Sequence, residues 1–357
     1  MKILYITYID FAEDAKSGSS VRPKKIYEAF LNEGHEIILL QTQQNKRKER
    51  RKAVKAILGK LETEKIDACY IESPSGPIFN SIDIKLIKKV KEKKIPISFF
   101  YRDAHWLFAA SWFKKGKLKK FLIRILHKRD MRVFQANIDQ FYMPSRMVCD
   151  ELLKHYKFHN ICELPPGTEN DKIQGYSKKR TAIYVGGCSY QYGVDFLIDV
   201  YCELNKNSCE YKLIIVTREQ EWEEMYTDGL AYEWLEVYHV SGEKLEKLYR
   251  NADLAFLPLR KNYYFDMAYA IKLFEYLSYG KPIISNNLET MGGFIRKYNC
   301  GLVYNEMKEA MEKSIISFYE NNQLAEELYE NTVRACKENT WEERVRTIVE
   351  DFSRAKN

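Results

Sequence analysis

This sequence predicts an α/β fold: two tandem Rossmann-like domains, each a doubly wound parallel sheet, with helices at the C-terminal end. Three observations carry that expectation. The chain has 357 residues, enough for two domains with separate cores. Short apolar runs of strand length alternate with runs of helical period from one end to the other, the pattern of βα units. The alternation is interrupted once, by Pro165-Pro-Gly-Thr-Glu-Asn-Asp-Lys-Ile-Gln-Gly-Tyr-Ser-Lys-Lys-Arg180, whose turn-forming and charged residues read as a linker, and then it restarts. The expected division is a first domain over 1–165, a linker over 166–180, a second domain over 181–335 and a terminal helix over 336–357 packing back on the first domain.

In the first domain, strands are expected near Lys2 to Tyr8, Glu36 to Gln41, Ala68 to Glu72, Pro96 to Tyr101, Gln140 to Met143 and Asn160 to Leu164. Helical periods fill the gaps around Arg22 to Glu33, Arg50 to Glu62, Ile82 to Glu92, Lys117 to Asn137 and Ser145 to Tyr156. In the second, strands are expected near Ala182 to Val185, Tyr211 to Thr217, Glu236 to Val240, Leu254 to Pro258, Pro282 to Ser285 and Gly301 to Tyr304. Helical periods there include Val194 to Leu204, Gly242 to Arg250 and Tyr269 to Tyr279. The tail reads as three helices, Glu306 to Tyr319, Leu324 to Glu338 and Trp341 to Ser353, the last with a capping box in Thr340-Trp-Glu-Glu343. Ligands of such sheets sit beyond the carboxyl ends of the strands, so a cleft between the two domains is the expected site.

Composition excludes several classes. Hydrophobic residues at 45% with 14% aromatics exclude a disordered chain. No apolar run is long enough for a spanning helix, and Met1-Lys-Ile-Leu-Tyr-Ile opens as a strand rather than as a signal peptide, which predicts a cytoplasmic protein. The eight cysteines show no CxxC spacing and mostly lie in apolar segments, as buried free thiols do. Charge is uneven: residues 1–165 hold 33 Lys and Arg against 19 Asp and Glu, a net +14, whereas 166–357 hold 24 against 31, a net −7. The first half therefore suits an anionic partner. Its excess concentrates in Lys46-Arg-Lys-Glu-Arg-Arg-Lys52 and in the helical stretch from Lys114 to Arg129. In the latter, Leu118, Phe121, Leu122 and Ile125 share one side, flanked or opposed by Lys117, Lys119, Lys120, Arg124 and Lys128. Two readings stay open: a peripheral helix on an anionic membrane surface at its inner face, or a packed helix with a solvated basic face. With an acidic second half and no recognition motif, nucleic acid is not an expected partner.

The densest chemistry lies in Asp266-Met-Ala-Tyr-Ala-Ile-Lys272-Leu-Phe-Glu275-Tyr-Leu-Ser-Tyr-Gly280-Lys-Pro-Ile-Ile-Ser285. Lys272 and Glu275 share a helical face beside an apolar one, and Gly280 and Pro282 end the helix before a strand. An ammonium suits a phosphate and a carboxylate suits paired ribose hydroxyls, the two halves of a nucleotide-sugar. The alternative is a surface salt bridge.

Taken together, the motif order resembles the GT-B glycosyltransferases of the family 4 type over essentially the whole chain. The residues that carry the resemblance are Ser17-Gly18-Ser19-Ser20-Val21-Arg22-Pro23, Leu164-Pro-Pro-Gly167, Tyr184-Val-Gly-Gly187, Tyr192-Gly-Val-Asp-Phe-Leu197, Leu245 to Pro258, and Lys272 to Gly280 with Lys281-Pro-Ile-Ile. The resemblance implies retaining transfer of a sugar from a nucleotide-sugar donor, with UDP the expected nucleotide, to a glycan or lipid-linked acceptor. Donor-binding roles are implied for Gly18, Ser19, Gly186, Gly187, Lys272 and Glu275, with Arg218 and Asp266 as further candidates; Arg22, just after the glycine loop, reads either as a grip on an anionic acceptor such as a lipid diphosphate or as a solvent-exposed arginine. No cofactor and no metal are expected, Lys272 and backbone amides meeting the diphosphate charge. Two positions depart from the family pattern. Met267 stands eight positions before Glu275, where an acid is usual and Asp266 is one step away, and Tyr192 replaces a loop lysine, leaving Lys272, Arg218 and Arg260 as phosphate candidates.

In the first domain, Arg102, Asp103 and His105 follow an apolar strand and so stand at its carboxyl end, where clustered charge points to function; a structural Arg102–Asp103 ion pair is the alternative. These are the candidate catalytic residues, as base or as groups that orient sugar hydroxyls and steady oxocarbenium charge. Competing functions are an epimerase or phosphorylase on the same fold, which donor-only NMR would reveal, and a catalytically inactive partner subunit.

Overall fold

The computed structural model describes residues 1–11, 18–102, 104–108, 117–176, 178–226 and 230–355. It falls into two compact units: Met1–Pro166 with Trp341–Asn357, and Gly167–Thr340.

The first unit contains, in order, β1 (Lys2–Thr7), α1 (Gly18–Asn32), β2 (Glu36–Gln41), α2 (Arg47–Thr63), β3 (Ala68–Glu72), α3 (Ser81–Glu92), β4 (Ile97–Phe100), α4 (His105–Phe108), α5 (Lys117–Asn137), β5 (Gln140–Met143), α6 (Arg146–Leu153) and β6 (Ile161–Glu163). Its six strands form one parallel sheet in the order β2-β1-β3-β4-β5-β6. Strands β1 and β3 are buried along almost their whole length, as apolar strands covered on both faces must be. Ile3, Tyr5, Phe30 and Tyr70 build one core, which the last helix of the chain completes with Trp341, Val345, Ile348 and Phe352. Buried phenols in this core find acceptors: Tyr5 donates to Pro23 O (2.6 Å), Tyr70 to Glu72 Oε1 (2.7 Å) and Tyr142 to Asp351 Oδ2 (2.6 Å). Helix α1 begins at Gly18, so Pro23 lies inside it rather than opening it.

The second unit runs β7 (Thr181–Val185), α7 (Val194–Leu204), β8 (Lys212–Val216), α8 (Glu219–Met225), β9 (Leu235–Tyr238), α9 (Glu243–Asn251), β10 (Leu254–Leu257), α10 (Tyr263–Met267), α11 (Ile271–Ser278), β11 (Ile283–Asn286), α12 (Glu289–Tyr298), β12 (Gly301–Tyr304), α13 (Lys308–Glu320) and α14 (Asn322–Glu338). The order of its parallel sheet is β12-β11-β10-β7-β8-β9. Two apolar clusters flank it, one holding Leu197, Tyr201, Phe256 and Phe318, the other Leu248, Leu273, Phe274 and Ile295. Helix α15 (Trp341–Arg354) then returns to the first unit and lies on α1, with Arg346 bonded to Glu33 at 3.0 Å.

Each sheet reverses direction once, between β1 and β3 and between β7 and β10. Loops leaving the two strands of such a switch part from each other and open a crevice at the strand ends. All eight cysteines are free, five of them buried. Among the described residues no helix is long and apolar enough to cross a membrane.

Candidate active site

In the second unit the crevice begins with the turn after β7. The buried Tyr184 phenol donates to Gly187 O at 2.6 Å, folding the loop back over the strand end. A Cβ on Gly186 would stand 2.6 Å from that phenol, and one on Gly187 2.9 Å from both Glu221 Oε2 and the Tyr192 ring. A side chain at either position would force these groups to shift, which glycine avoids. Gly193 closes the turn at φ +68°, where an added Cβ would meet Pro258 O at 2.0 Å.

Helix α11 lies across the end of β7, because the Tyr276 phenol receives the Val185 N–H at 3.0 Å. Its partly exposed face carries the paired residues: Lys272 Nζ donates to Glu275 Oε2 at 2.7 Å. The other oxygen, Oε1, accepts from the Tyr249 phenol at 2.9 Å. Tyr249 is fully buried in α9 and stacks on Tyr279 at 4.1 Å, so it is a fixed support. Both oxygens of Glu275 are therefore aimed, and each keeps a lone-pair site for a further donor.

Arg218 immediately precedes α8 and its side chain is 84% exposed; its guanidinium pairs with Glu221 Oε1 at 2.9 Å. Glu221 Oε2 faces the Cys188 N–H at 3.4 Å, which brings Arg218 to the rim of the glycine loop. Asp266 is engaged elsewhere: its Oδ1 accepts from the Glu289 N–H at the start of α12 (3.2 Å) and stands 3.7 Å from Lys261 Nζ. Met267 is buried. A cavity of about 470 Å³ opens at the strand ends, lined by Tyr190, Pro258, Arg260, Asn286, Tyr304 and Glu306. Arg260 lies over the Tyr190 ring at 3.7 Å and holds Asp195 with two bonds, 3.1 and 2.9 Å.

In the first unit, Gly18 and Ser19 open α1 and His105 opens α4, but the side chains of Ser19 and His105 are not described. Asp103 lies outside the described residues. The Arg102 N–H donates to Ser73 Oγ at 2.9 Å, and Arg102 lines a second cavity of about 470 Å³ with Tyr8, Gln43, Asn45, Ser73 and His127. Behind it stands a buried polar chain. Trp106 Nε1 donates to Tyr101 Oη (2.8 Å), which meets His127 Nδ1 (3.1 Å), and the Trp106 and His127 rings stack at 4.6 Å. Burial pushes the His127 imidazole down to about 4, so it is neutral at physiological pH.

Arg22 is buried. Its Nε bonds Glu72 Oε1 at 3.2 Å, its Nη1 bonds Leu164 O and Pro165 O, and its guanidinium covers the Phe100 ring at 3.5 Å. Arg50, from the basic run 46–52, is also buried, bonded to Asp83 at 2.8 Å and to Thr7 O at 2.7 Å, so that run has one core member.

The sequence reading did not name Tyr249, Glu221, Asp195 or His127 as site residues. Tyr249 and His127 carry no charge pattern of their own, and what marks them is a partner 26 residues away in each case.

Residues 167–335, nearly the whole second unit, match the family described as "Glycosyl transferases group 1". No curated protein matches the chain. Among solved structures the chain is similar to a sucrose-phosphate synthase (tll1590) from Thermosynechococcus elongatus, at 13% identity and a TM-score of 0.69 over 99% of this chain and 98% of that one. It is similar to Anabaena Alr3699/HepE in complex with UDP and glucose, at 12% and 0.67 over 99% and 100%. It is also similar to WaaG, a glycosyltransferase involved in lipopolysaccharide biosynthesis, at 16% and 0.65 over 98% of each. At such identities the likeness shows the fold, a two-domain Rossmann-like α/β fold of the GT-B kind, and the family match in the second unit supports a glycosyltransferase.

Proposed function

We propose that this chain moves a sugar from a UDP-sugar to a glycan or lipid-linked acceptor at an anionic membrane face, with retention and without a metal. The observation that carries the donor half is the Glu275 carboxylate, held on one oxygen by Tyr249 and on the other by Lys272, on a helix that crosses the end of β7. Its two remaining acceptor sites match two vicinal ribose hydroxyls, each charge-assisted bond contributing about 1.5–3 kcal/mol. Lys272 spends one N–H on Glu275 and has two for diphosphate oxygens, with the bare backbone at Gly186 and Gly187 and the exposed Arg218 alongside. The neighbour solved with UDP and glucose supports the choice of nucleotide.

In the retaining reaction the leaving diphosphate takes the acceptor proton, while Arg102, Asp103 and His105 orient hydroxyls and steady the developing positive charge. Arg22 is assigned a framework role in this reading, since it is buried with Nε bonded to Glu72 and Nη1 to Leu164 and Pro165, leaving Nη2 as its one group without a partner. The membrane half is supported by α5, where Leu118 and Phe121 are 73% and 61% exposed. A thermal-shift screen with UDP-, GDP-, TDP- and ADP-sugars tests the donor: a UDP-sugar should give the largest shift, and Glu275→Ala should abolish it while circular dichroism stays unchanged. A shift that survives Glu275→Ala removes Glu275 from the site. A second reading, a sugar-nucleotide-binding subunit without transfer, is favoured by the buried Met267 at the position where related enzymes carry an acid. Release of UDP from donor plus acceptor would rule it out.

A further inference from the structure

Helix α5 has two opposite faces, and the polar-looking one is inside. At about 100° per residue, positions 127, 130, 131 and 134 share one face and 118, 121, 122 and 125 the other. His127, Asp130, Met131 and Phe134 are buried, whereas Leu118, Phe121, Leu122 and Ile125 are exposed by 73, 61, 53 and 47%. The outward ridge is a contiguous apolar strip on the surface of the first unit.

Beside this ridge, Arg124, Lys128 and Arg132 recur every fourth residue along one stripe. They converge on a cavity of about 420 Å³ whose other walls include Trp106, His155 and Tyr156. None of the three makes a hydrogen bond or ion pair with another described residue, and no carboxylate lines the cavity among the described residues. Glu151, which reaches His155 Nε2 at 3.9 Å, is bonded to Lys154 at 2.6 Å. Burial pushes the Tyr156 phenol up, and the Arg132 charge opposes that push, which puts Arg132 beside the ring. The buried arginines of this unit, by contrast, are matched: Arg50 by Asp83 and Arg22 by Glu72. Among the described residues, three cations surround one hollow with aromatic walls and meet no anion.

We infer that this cavity binds a phosphate or diphosphate group carried by a lipid, whose hydrocarbon lies along the Leu118–Ile125 ridge. The chemistry follows from the pieces. Guanidinium forks chelate phosphate oxygens, the ammonium adds a point charge, and the ridge covers apolar chain that water would otherwise meet. The site is built from α4, α5 and the residues that follow α6, all in the first unit. It rests on the membrane-side acceptor reading above and gives that reading its chemical handle, a role expected of Arg22 from sequence but assigned here to residues whose donors are unspent.

The test uses the full chain and a triple variant, Arg124→Gln with Lys128→Gln and Arg132→Gln, all at exposed positions. Sedimentation with phosphatidylcholine vesicles containing phosphatidylglycerol should carry down the wild type, and the triple variant should partition roughly 100-fold more weakly, three cations at an anionic surface being the difference. Leu118→Ser with Phe121→Ser should also weaken sedimentation. Inorganic diphosphate, titrated calorimetrically with saturating UDP present to fill the donor site, should bind the wild type and not the triple variant, while both bind UDP alike. Equal sedimentation of wild type and triple variant overturns the inference. So does diphosphate binding without vesicle binding, which would make the source a soluble anion. If UDP fails to bind either protein, the donor reading fails and the lipid site is judged on its own arms.

Discussion

At the strand ends of the second unit, Lys272, Arg218 and Arg260 each meet a carboxylate: Glu275, Glu221 and Asp195. Along α5 of the first unit, Arg124, Lys128 and Arg132 meet none among the described residues. Deeper in that unit Arg50 and Arg22 are again paired, but inside the core. The same residue types thus serve three purposes. Paired and partly or largely exposed, they hold a carboxylate; paired and buried, they join elements; unpaired and outward, they raise the local potential for an anion. The uneven charge of the sequence, net +14 against −7, therefore resides in part in cations without protein partners.

The sharpest way to break this comparison is to remove a buried cation. Arg50→Ala should destabilise the first unit by about 3–5 kcal/mol in a denaturant titration, because Asp83 is left buried and unpaired. A loss below about 1 kcal/mol would place Arg50 among the surface pairs. Next comes His127, whose folded pKa of about 4 lies below the usual 6.5. Its neutral form contributes stability that is whole above about pH 6.5 and is lost as pH falls toward 4, because the unfolded chain binds the proton first. Between pH 7 and 4 that loss should be on the order of 2–3 kcal/mol, and His127→Phe should flatten that part of the pH–stability curve. A curve unchanged by the substitution would show that the imidazole titrates normally.

Smaller still is the effect of Tyr249→Phe, which removes one support of Glu275. Losing a bond of about 1–1.5 kcal/mol should raise the donor KM roughly 5–10-fold with kcat little changed. A fall in kcat at constant KM would instead place Tyr249 in the chemical step. At the bottom of the scale, Arg218→Ala should shift stability by no more than about 0.5 kcal/mol, since an exposed i,i+3 pair contributes little.

Strand positions were legible because parallel strands covered on both faces read as bare apolar runs: Lys2–Thr7, Glu36–Gln41, Ala68–Glu72 and Gly301–Tyr304 fall where the pattern puts them. The Lys272–Glu275 pair was legible because its spacing is local. The burial of Arg22 and Arg50 was not, since their partners lie 50 and 33 residues away and only the fold joins them. Helix α5 misleads for a related reason. Its apolar positions do not mark its packed face there, because His127 and Asp130 are satisfied by Tyr101 and by the Ile78 N–H and so can face inward. Periodicity reports where apolar side chains recur, and it names the buried face only when no polar partner waits inside.

The donor site is tested most directly by calorimetric titration of UDP into the wild type and into Glu275→Gln, which keeps shape and removes charge. The account predicts saturable binding to the wild type and at least about 10-fold weaker binding to the variant, one charge-assisted bond being the minimum loss. Equal affinities for the two proteins would contradict it.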